Sequence, residues 1–224
     1  SDGSRLAAGG YYNDANGSNA GHVRVYEESG GAWTQLGDDI DGEASGDRFG
    51  WSVALSSDGT RLAVGAIYND GGGSNSGHVR VFDLVGSTWT QVGSDIDGEA
   101  ANDEFGRSVA LSSDGTRLAV GGRGNDGGGT DSGHVRVFEE SGGTWTQVGD
   151  DIDGEAAGDH FGWDVALSSN GTRLAAGGYL NDANGSNAGH VRVFEESGGT
   201  WTQVGGDIDG ETASDLFGIS VALS

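Results

Sequence analysis

The chain contains no cysteine, proline, methionine or lysine. Without cysteine it has neither a disulfide framework nor thiol chemistry. No apolar segment approaches the ~20 residues of a membrane-spanning helix, so membrane insertion is not expected. Because the only basic residues are 11 arginines, set against 35 acidic residues, the formal net charge is −24. A surface of that sign repels phosphate backbones and anionic lipid headgroups, so we predict no nucleic-acid partner and favour cations and cationic partners.

Glycine supplies 46 of the 224 residues but does not recur at every third position, which excludes a collagen-like chain. Apolar residues make up 34% of the sequence and include six tryptophans and seven phenylalanines. That content is enough for a hydrophobic core and argues against a disordered chain.

The sequence repeats itself every 56 residues. Four successive rows align without a gap, and 31 of the 56 columns are identical in all four rows. A period near 50 is typical of propellers, solenoids and other arrays in which each repeat is one supersecondary unit. We therefore treat 1–224 as one repeat domain. Its repeats are 1–56, 57–112, 113–168 and 169–224.

Each repeat predicts four short strands and no helix. Segments 52–56 and 61–65 are nearly continuous apolar runs, separated by an Asp58-Gly59 turn signal. Segments 78–82 and 88–92 alternate polar and apolar residues, as half-exposed strands do. The apolar first half and the aromatic second half predict a sheet that runs from a crowded axis to solvent. The pattern therefore favours an all-β propeller of four-stranded antiparallel blades over a β-helix.

The order of the strands predicts how the ring closes. The chain starts with a second strand, 5–9, and ends with a first strand, 221–224. The last strand would complete the first blade, which predicts strand-swapped closure; an array in which the next molecule supplies that strand explains the order equally well. Because the chain lacks an initial methionine and a leader, we expect an internal part of a longer protein or a mature product.

Several short motifs together resemble the FG-GAP repeat. They are Phe-Gly followed by an apolar strand at 49–54, the Asp58-Gly59 turn, and the segments 62–66 and 77–82. That repeat builds the β-propeller of integrin α-subunits and of many secreted or surface proteins, so the resemblance implies an extracellular or cell-surface location. Two features depart from the family: no proline follows the Gly-Ala step, and the family's calcium loop between the first two strands is reduced to Ser57-Asp58-Gly59.

Four acidic columns supply candidate metal ligands. Alternating carboxylates around a glycine can surround Ca²⁺, which takes six to eight oxygen ligands, and a cation would relieve the repulsion between them. The alternative is that the Asp-Gly pair forms a turn while the last aspartate bonds the loop backbone. The candidate ligands are Asp39, Asp41, Glu43, Asp47, Asp95, Asp97, Glu99, Asp103, Asp151, Asp153, Glu155, Asp159, Asp207, Asp209, Glu211 and Asp215.

Two further groups of polar residues have a structural alternative. The loop 13–19 is rich in oxygen ligands, but its residues also suit Asx turns. Asn16, Asn170 and Asn184 begin glycosylation sequons, which would be used only in a secreted protein. For Asn170 the alternative is an Asn-Gly hairpin turn.

No residue pattern indicates catalysis. His22, His78, His134 and His190 each precede an arginine by two residues. Blade structure explains such a fourfold position, whereas catalysis needs one asymmetric arrangement of groups. The sequence has no phosphate loop, no His-Glu-x-x-His motif and no nucleophile elbow. We therefore predict that the chain has no catalytic residues and is not an enzyme.

These observations favour a non-enzymatic extracellular structural or adhesion module. Near-identical units suit self-association into larger repeat arrays or filaments, because an interface made once can be made at every step. An extracellular protein or glycan is the other expected partner. The alternative function is a Ca²⁺-dependent ligand- or glycan-binding propeller of the lectin or receptor type.

Overall fold

The apolar and alternating segments of every repeat form strands. A computed structural model describes residues 2–224, which contain 19 strands and no helix, and hence no helical membrane span. The strands form four separate antiparallel sheets. Three of these sheets combine strands from two successive repeats, because the first strand of each blade ends the preceding repeat. The all-β, propeller-type prediction is confirmed.

The four sheets are the blades of the propeller. Blade one contains β1 (Arg5–Gly9), β2 (His22–Ser29), β3 (Ala32–Gln35) and β4 (Ile40–Asp41). Blade two contains β5 (Phe49–Leu55), β6 (Arg61–Ala66), β7 (His78–Val85), β8 (Thr88–Gln91) and β9 (Ile96–Asp97). Blade three contains β10 (Phe105–Leu111), β11 (Arg117–Gly122), β12 (His134–Ser141), β13 (Thr144–Gln147) and β14 (Ile152–Asp153). Blade four contains β15 (Phe161–Leu167), β16 (Arg173–Gly178), β17 (His190–Ser197), β18 (Thr200–Gln203) and β19 (Ile208–Asp209).

The structure adds two features to the predicted strands. The first strand begins at Phe49, earlier than predicted, because Phe49 pairs with Ala66 across a bulge that ends at Ser52. Gly50 provides the left-handed backbone of this bulge, with φ 86°. The two-residue strand β9 was not predicted; it pairs with β7, as its equivalents do in the other blades.

The predicted Asp-Gly turn joins the first two strands of a blade. Gly59 takes a φ of 67° there. One Asp58 carboxylate oxygen accepts hydrogen bonds from the Ser56 hydroxyl at 2.7 Å, the Thr60 amide at 3.0 Å and the Thr60 hydroxyl at 2.8 Å. These bonds favour the ionised carboxylate and lower the pKa of Asp58 to about 2.

Acid should weaken this turn through Asp58 and its equivalent Asp114, whose pKa is lowered by the same bonds. Between the ordinary aspartate pKa and the lowered folded value, the unfolded chain binds more protons, so stability falls as pH falls from about 4 to about 2. Asn170 makes the same bonds in the fourth repeat without titrating. We expect the D58N/D114N variant to show a smaller drop in melting temperature across this pH range in calorimetry. An identical drop in both proteins would contradict this role.

The hydrophobic core lies between neighbouring blades. One cluster packs Val23 and Val25 of blade one against Leu62, Val64 and Phe82 of blade two, and the next two interfaces repeat the arrangement. Because each blade is apolar on both faces of its second strand, stacking buries what a single sheet would expose.

The first strands lie innermost, around a common axis. Leu55, Leu111 and Leu167 line a cavity at one end of the axis, and the residues that begin the same strands line a second cavity at the other end. The outer strands that carry the repeated tryptophans are largely exposed. The predicted orientation of the repeat, apolar half inward, is therefore confirmed.

The predicted closure of the ring is not formed in the described residues. β1 pairs only with β2, and residues 221–224 form no strand. Instead the Val221 amide donates a hydrogen bond to the Asp164 carboxylate at 2.8 Å, and Phe217 bridges to Gly189. Phe49 makes the equivalent bridge to Gly21 where blade two begins. Strand-swapped closure stays a prediction.

Candidate ligand-binding site

One acidic column has a structural role. Asp47 is 5% exposed and accepts hydrogen bonds from the Ala44 amide at 3.2 Å and the Asn69 side chain at 3.0 Å. Its equivalents bond the corresponding loop in the same way. These equivalents are Asp103, Asp159 and Asp215. This column behaves as the loop-bonding alternative expects.

Blade stacking brings acidic residues of the other columns from different repeats next to one another. A glutamate from one repeat lies beside a histidine and an aspartate from the next. Burial raises the pKa of Asp97 and Asp153, which end the strands β9 and β14. The described residues bring no three acids of a single repeat within ligand distance of one another, so calcium binding by such a loop stays a prediction.

The oxygen-rich loop 13–19 bonds to itself. The side-chain oxygen of Asn13 accepts a hydrogen bond from the Ala15 amide. The Asp14 carboxylate accepts one from the Asn19 amide at 2.7 Å. Among the sequons, the side-chain amides of Asn16 and Asn184 donate to backbone carbonyls, and Asn170 forms its hairpin turn. Glycosylation at these positions stays a prediction.

A group of arginine and aromatic side chains surrounds one end of the propeller axis. We call it the axial face. Trp51, Arg107 and Trp163 line a cavity of about 420 Å³ at its centre. The Arg107 guanidinium lies between the two indoles, 3.7 Å from the ring centre of Trp163 and 4.7 Å from that of Trp51. The remaining members extend this contact outward. They are Tyr12, Arg48, Tyr68, Arg123, His160 and Tyr179.

Two members of the axial face, Arg48 and His160, belong to a column of strained residues. Arg48, Glu104, His160 and Leu216 occupy equivalent positions, and all have left-handed φ values of 51–57°. Glycine avoids strain in this region, yet bulky side chains stand there in every repeat. This is also the only column of the 56 in which all four residues differ. Residues held in such a conformation concentrate at functional sites.

Two arginines of this face lack an acidic partner. Among the described residues, Arg48 and Arg107 are the only arginines without an ion pair to a carboxylate. Both are half-buried, and burial lowers the pKa of Arg107. In a chain of net charge −24, a guanidinium is expected to find a carboxylate within the protein. These two are therefore free to receive an anion from outside.

The third arginine is held in place. Arg123 donates to the Glu104 carboxylate at 2.7 Å, and a second guanidinium nitrogen donates to His160 Nδ1 at 3.1 Å. Burial lowers the pKa of His160, which keeps the ring neutral so that Nδ1 can accept this bond. The fixed network orients the cationic side of the cavity.

The family follows from a comparison of the sequence with known repeats. The model of the FG-GAP repeat matches residues 40–82, 94–138 and 152–194, which together make up more than half of the chain. The chain belongs to the FG-GAP repeat family. The resemblance noted from its motifs is thereby confirmed. The comparison with curated proteins finds no match.

The comparison with solved structures finds several similar proteins. A periplasmic gluconolactonase from Pseudomonas aeruginosa is 18% identical with a TM-score of 0.58, over 93% of this chain and 55% of that one. The β-propeller domain of the trilobed protease from Pyrococcus furiosus is 10% identical, with a TM-score of 0.49, over 93% and 56%. The acylaminoacyl peptidase of Pyrococcus horikoshii is 14% identical, with a TM-score of 0.46, over 90% and 30%. The FG-GAP chain thus spans about half the length of the gluconolactonase it matches.

The gluconolactonase match corrects one inference from the sequence. The prediction that the chain is not an enzyme was wrong. It assumed that near-identical repeats argue against catalysis. The gluconolactonase has a similar fold over 93% of this chain, so the fold does not exclude an enzyme. The physical reason is that a few divergent columns make one face asymmetric even when the scaffold repeats, as the axial face does here.

Proposed function

We propose that the axial face binds an anionic, ring-containing ligand, and that an acidic oligosaccharide is the class that suits it best. The observation that carries the proposal is the pair of guanidiniums without a carboxylate partner, Arg48 and Arg107. Each stacks on aromatic rings, which leaves its N–H edge available for bidentate bonds to a carboxylate or sulfate. The exposed ring of Tyr12 and the neighbouring Tyr11 offer stacking surfaces for a sugar ring.

The overall negative charge of the chain does not prevent the axial face from binding an anion. At physiological salt the Debye length is about 8 Å, so distant carboxylates are screened while the unpaired Arg48 and Arg107 act directly. A short acidic saccharide carries few charges, in contrast to a nucleic acid. We propose an extracellular or cell-surface location together with this function, since acidic glycans would meet the protein there.

Isothermal titration with a short uronic-acid oligosaccharide tests the proposal. We expect binding of the acidic oligosaccharide, no binding of a neutral one of equal length, and at least a tenfold loss of affinity in Arg107→Gln, about 1.4 kcal/mol or more. Arg173→Gln is the matched control, because Arg173 is half-exposed, pairs with Glu195 and begins β16 at the end opposite Tyr179 of the axial face. Equal affinity of the two variants, or no binding by the wild type, would contradict the proposal. Repeating the titration in EDTA tests the calcium-dependent alternative.

A structural role in repeat arrays is the second candidate, and exposed apolar residues on the end blades support it. Leu6 is 48% exposed, whereas its equivalents in the other blades are fully buried. Ile208 is 51% exposed, against 7–8% for Ile40, Ile96 and Ile152. A second copy stacked on these surfaces would cover them as a neighbouring blade does.

Sedimentation equilibrium over a range of protein concentrations tests the array. We expect reversible association that Leu6→Asp weakens. Ala32→Asp, at an exposed apolar position on the outer strand β3 of blade one, is the comparison for surface charge. Monomers at every concentration would rule the array out.

A further inference from the structure

Three clefts between neighbouring blades each hold one histidine, one aspartate and one glutamate. In each cleft, a histidine nitrogen and one oxygen from each carboxylate lie within 4.8 Å of one another. The glutamate comes from one repeat and the other two residues from the next. The clefts are Glu43–His78–Asp95, Glu99–His134–Asp151 and Glu155–His190–Asp207.

The histidines of these clefts are buried without hydrogen bonds. His78, His134 and His190 are 0–1% exposed, and neither ring nitrogen has a hydrogen-bond partner. Their Nδ1 atoms face the aspartate Oδ2 atoms at 3.7, 3.4 and 3.9 Å. A hydrogen bond would need about 2.7–3.2 Å, and a buried polar atom left without one costs about 1–3 kcal/mol. The arrangement recurs in all three clefts with a glutamate beside it; in blade one His22 Nδ1 also stands unpartnered at 3.4 Å from Asp39 Oδ2, but without a glutamate.

The spacing suits a metal ion between the two groups. Ligand atoms at about 2.0–2.1 Å from a tetrahedral ion lie about 3.4 Å from each other.

The aspartate keeps one oxygen free for this purpose. Asp95 Oδ1 accepts a hydrogen bond from the Gln91 side chain at 2.7 Å, whereas Oδ2 accepts none. The nearby Arg80 donates to the Gln91 side chain at 2.9 Å and to the Asp41 carbonyl at 3.2 Å, and stays 3.7–3.9 Å from the Glu43 and Asp95 carboxylates. With two carboxylates and one guanidinium, the cleft keeps a net charge of −1.

Blade one differs from the three clefts in the ligands that it offers. It has the histidine and the aspartate, but no glutamate completes a third ligand there. In that blade Arg24 turns to the aspartate and bonds both oxygens of Asp39, at 2.9 and 2.8 Å. Where the arginine neutralises the aspartate directly, no place for a cation remains.

We propose that each of the three clefts binds a divalent transition-metal ion, Zn²⁺ being the best fit, through histidine Nδ1, aspartate Oδ2 and one glutamate oxygen. An imidazole nitrogen with two carboxylates suits zinc, whereas Ca²⁺ prefers oxygen ligands alone and more of them. With three protein ligands, the fourth position stays open to water or to a ligand. The ion joins two blades, and the proposal is independent of the axial face.

Native mass spectrometry of the EDTA-treated chain after addition of ZnSO₄ and removal of the excess tests the proposal. We expect three zinc ions per chain, two in Asp151→Asn, and none in the E43Q/E99Q/E155Q variant. Asp39→Asn is the matched control from the same column of blade one, and it should keep three. Glu99→Gln, at an exposed residue, replaces Asp151→Asn if circular dichroism shows that the latter is unfolded. Co²⁺ in place of zinc should give the strong visible absorption of a tetrahedral site. A wild-type count other than three, or a count that neither Asp151→Asn nor Glu99→Gln lowers, would overturn the proposal.

Discussion

Gly121→Ala is expected to lower the free energy of unfolding by about 3 kcal/mol or more. A β-carbon on Gly121 would lie 1.9 Å from the carbonyl oxygen of Gly162, in the first strand of the next blade. The obstacle is backbone, so no side-chain rotation can relieve it. Gly9 and Gly65 meet the next blade in the same way, at 2.0 and 2.2 Å, and Gly177 meets the carbonyl oxygen of Gly218 at 1.9 Å. Close stacking of the blades therefore depends on this glycine column.

Urea unfolding followed by tryptophan fluorescence measures the effect of Gly121→Ala. Gly206→Ala is the matched control, because a β-carbon there meets nothing within 4 Å and the backbone is not left-handed. We expect the control to change stability by less than about 0.5 kcal/mol. Equal unfolding midpoints for the two variants would show that the blades do not stack as closely as described.

Phe161→Ala is expected to cost about 3–5 kcal/mol of stability. The Phe161 ring is fully buried and makes edge contacts with His190 and Phe194, at 6.0 and 6.3 Å between ring centres. The Arg192 guanidinium lies 5.1 Å from the centre of the Phe161 ring. Removing the ring would leave a cavity among groups held by the sheet.

The fourth repeat provides the control for this substitution. Phe217 stands in the same column, but it is 42% exposed because no further blade covers it. We expect Phe217→Ala to cost about 1 kcal/mol in the same unfolding assay. Equal losses for Phe161→Ala and Phe217→Ala would contradict a core that lies between blades.

Most of the fold was predictable because each repeat carries local signals. The Asp58-Gly59 turn and the apolar strands on either side of it have patterns that do not depend on distant contacts. The start of β5 was missed because Gly50 interrupts the apolar pattern at the bulge. The strand Ile96–Asp97 was missed because two residues carry no detectable period. Closure depends on contacts between the ends of the chain, which no local pattern encodes.

The candidate sites were harder to predict because they join different repeats. The acidic residues were recognised, but the grouping of Glu43 with His78 and Asp95 depends on how blades stack. The histidines were interpreted as strand residues that pair with nearby acids, which does not predict their glutamate neighbours from another repeat. The axial face was missed because the recognisable motifs lie mostly in columns that are identical in all four repeats, whereas the residues of this face lie in columns that vary. Its signal was nevertheless present: position 48 and its equivalents are the column where all four repeats differ.

The tryptophans offer a direct test of where a ligand binds. Two of the six indoles, Trp51 and Trp163, lie on the axial face. The other four stand on the outer strands, where Trp89 and Trp201 donate to carbonyls of the preceding blade at 3.0 Å. In a ¹H–¹⁵N spectrum of the indole groups, an acidic oligosaccharide should shift the signals of Trp51 and Trp163 and leave the outer four unchanged. Shifts confined to the outer four, or no shift at a saturating concentration, would contradict a binding site at the axial face.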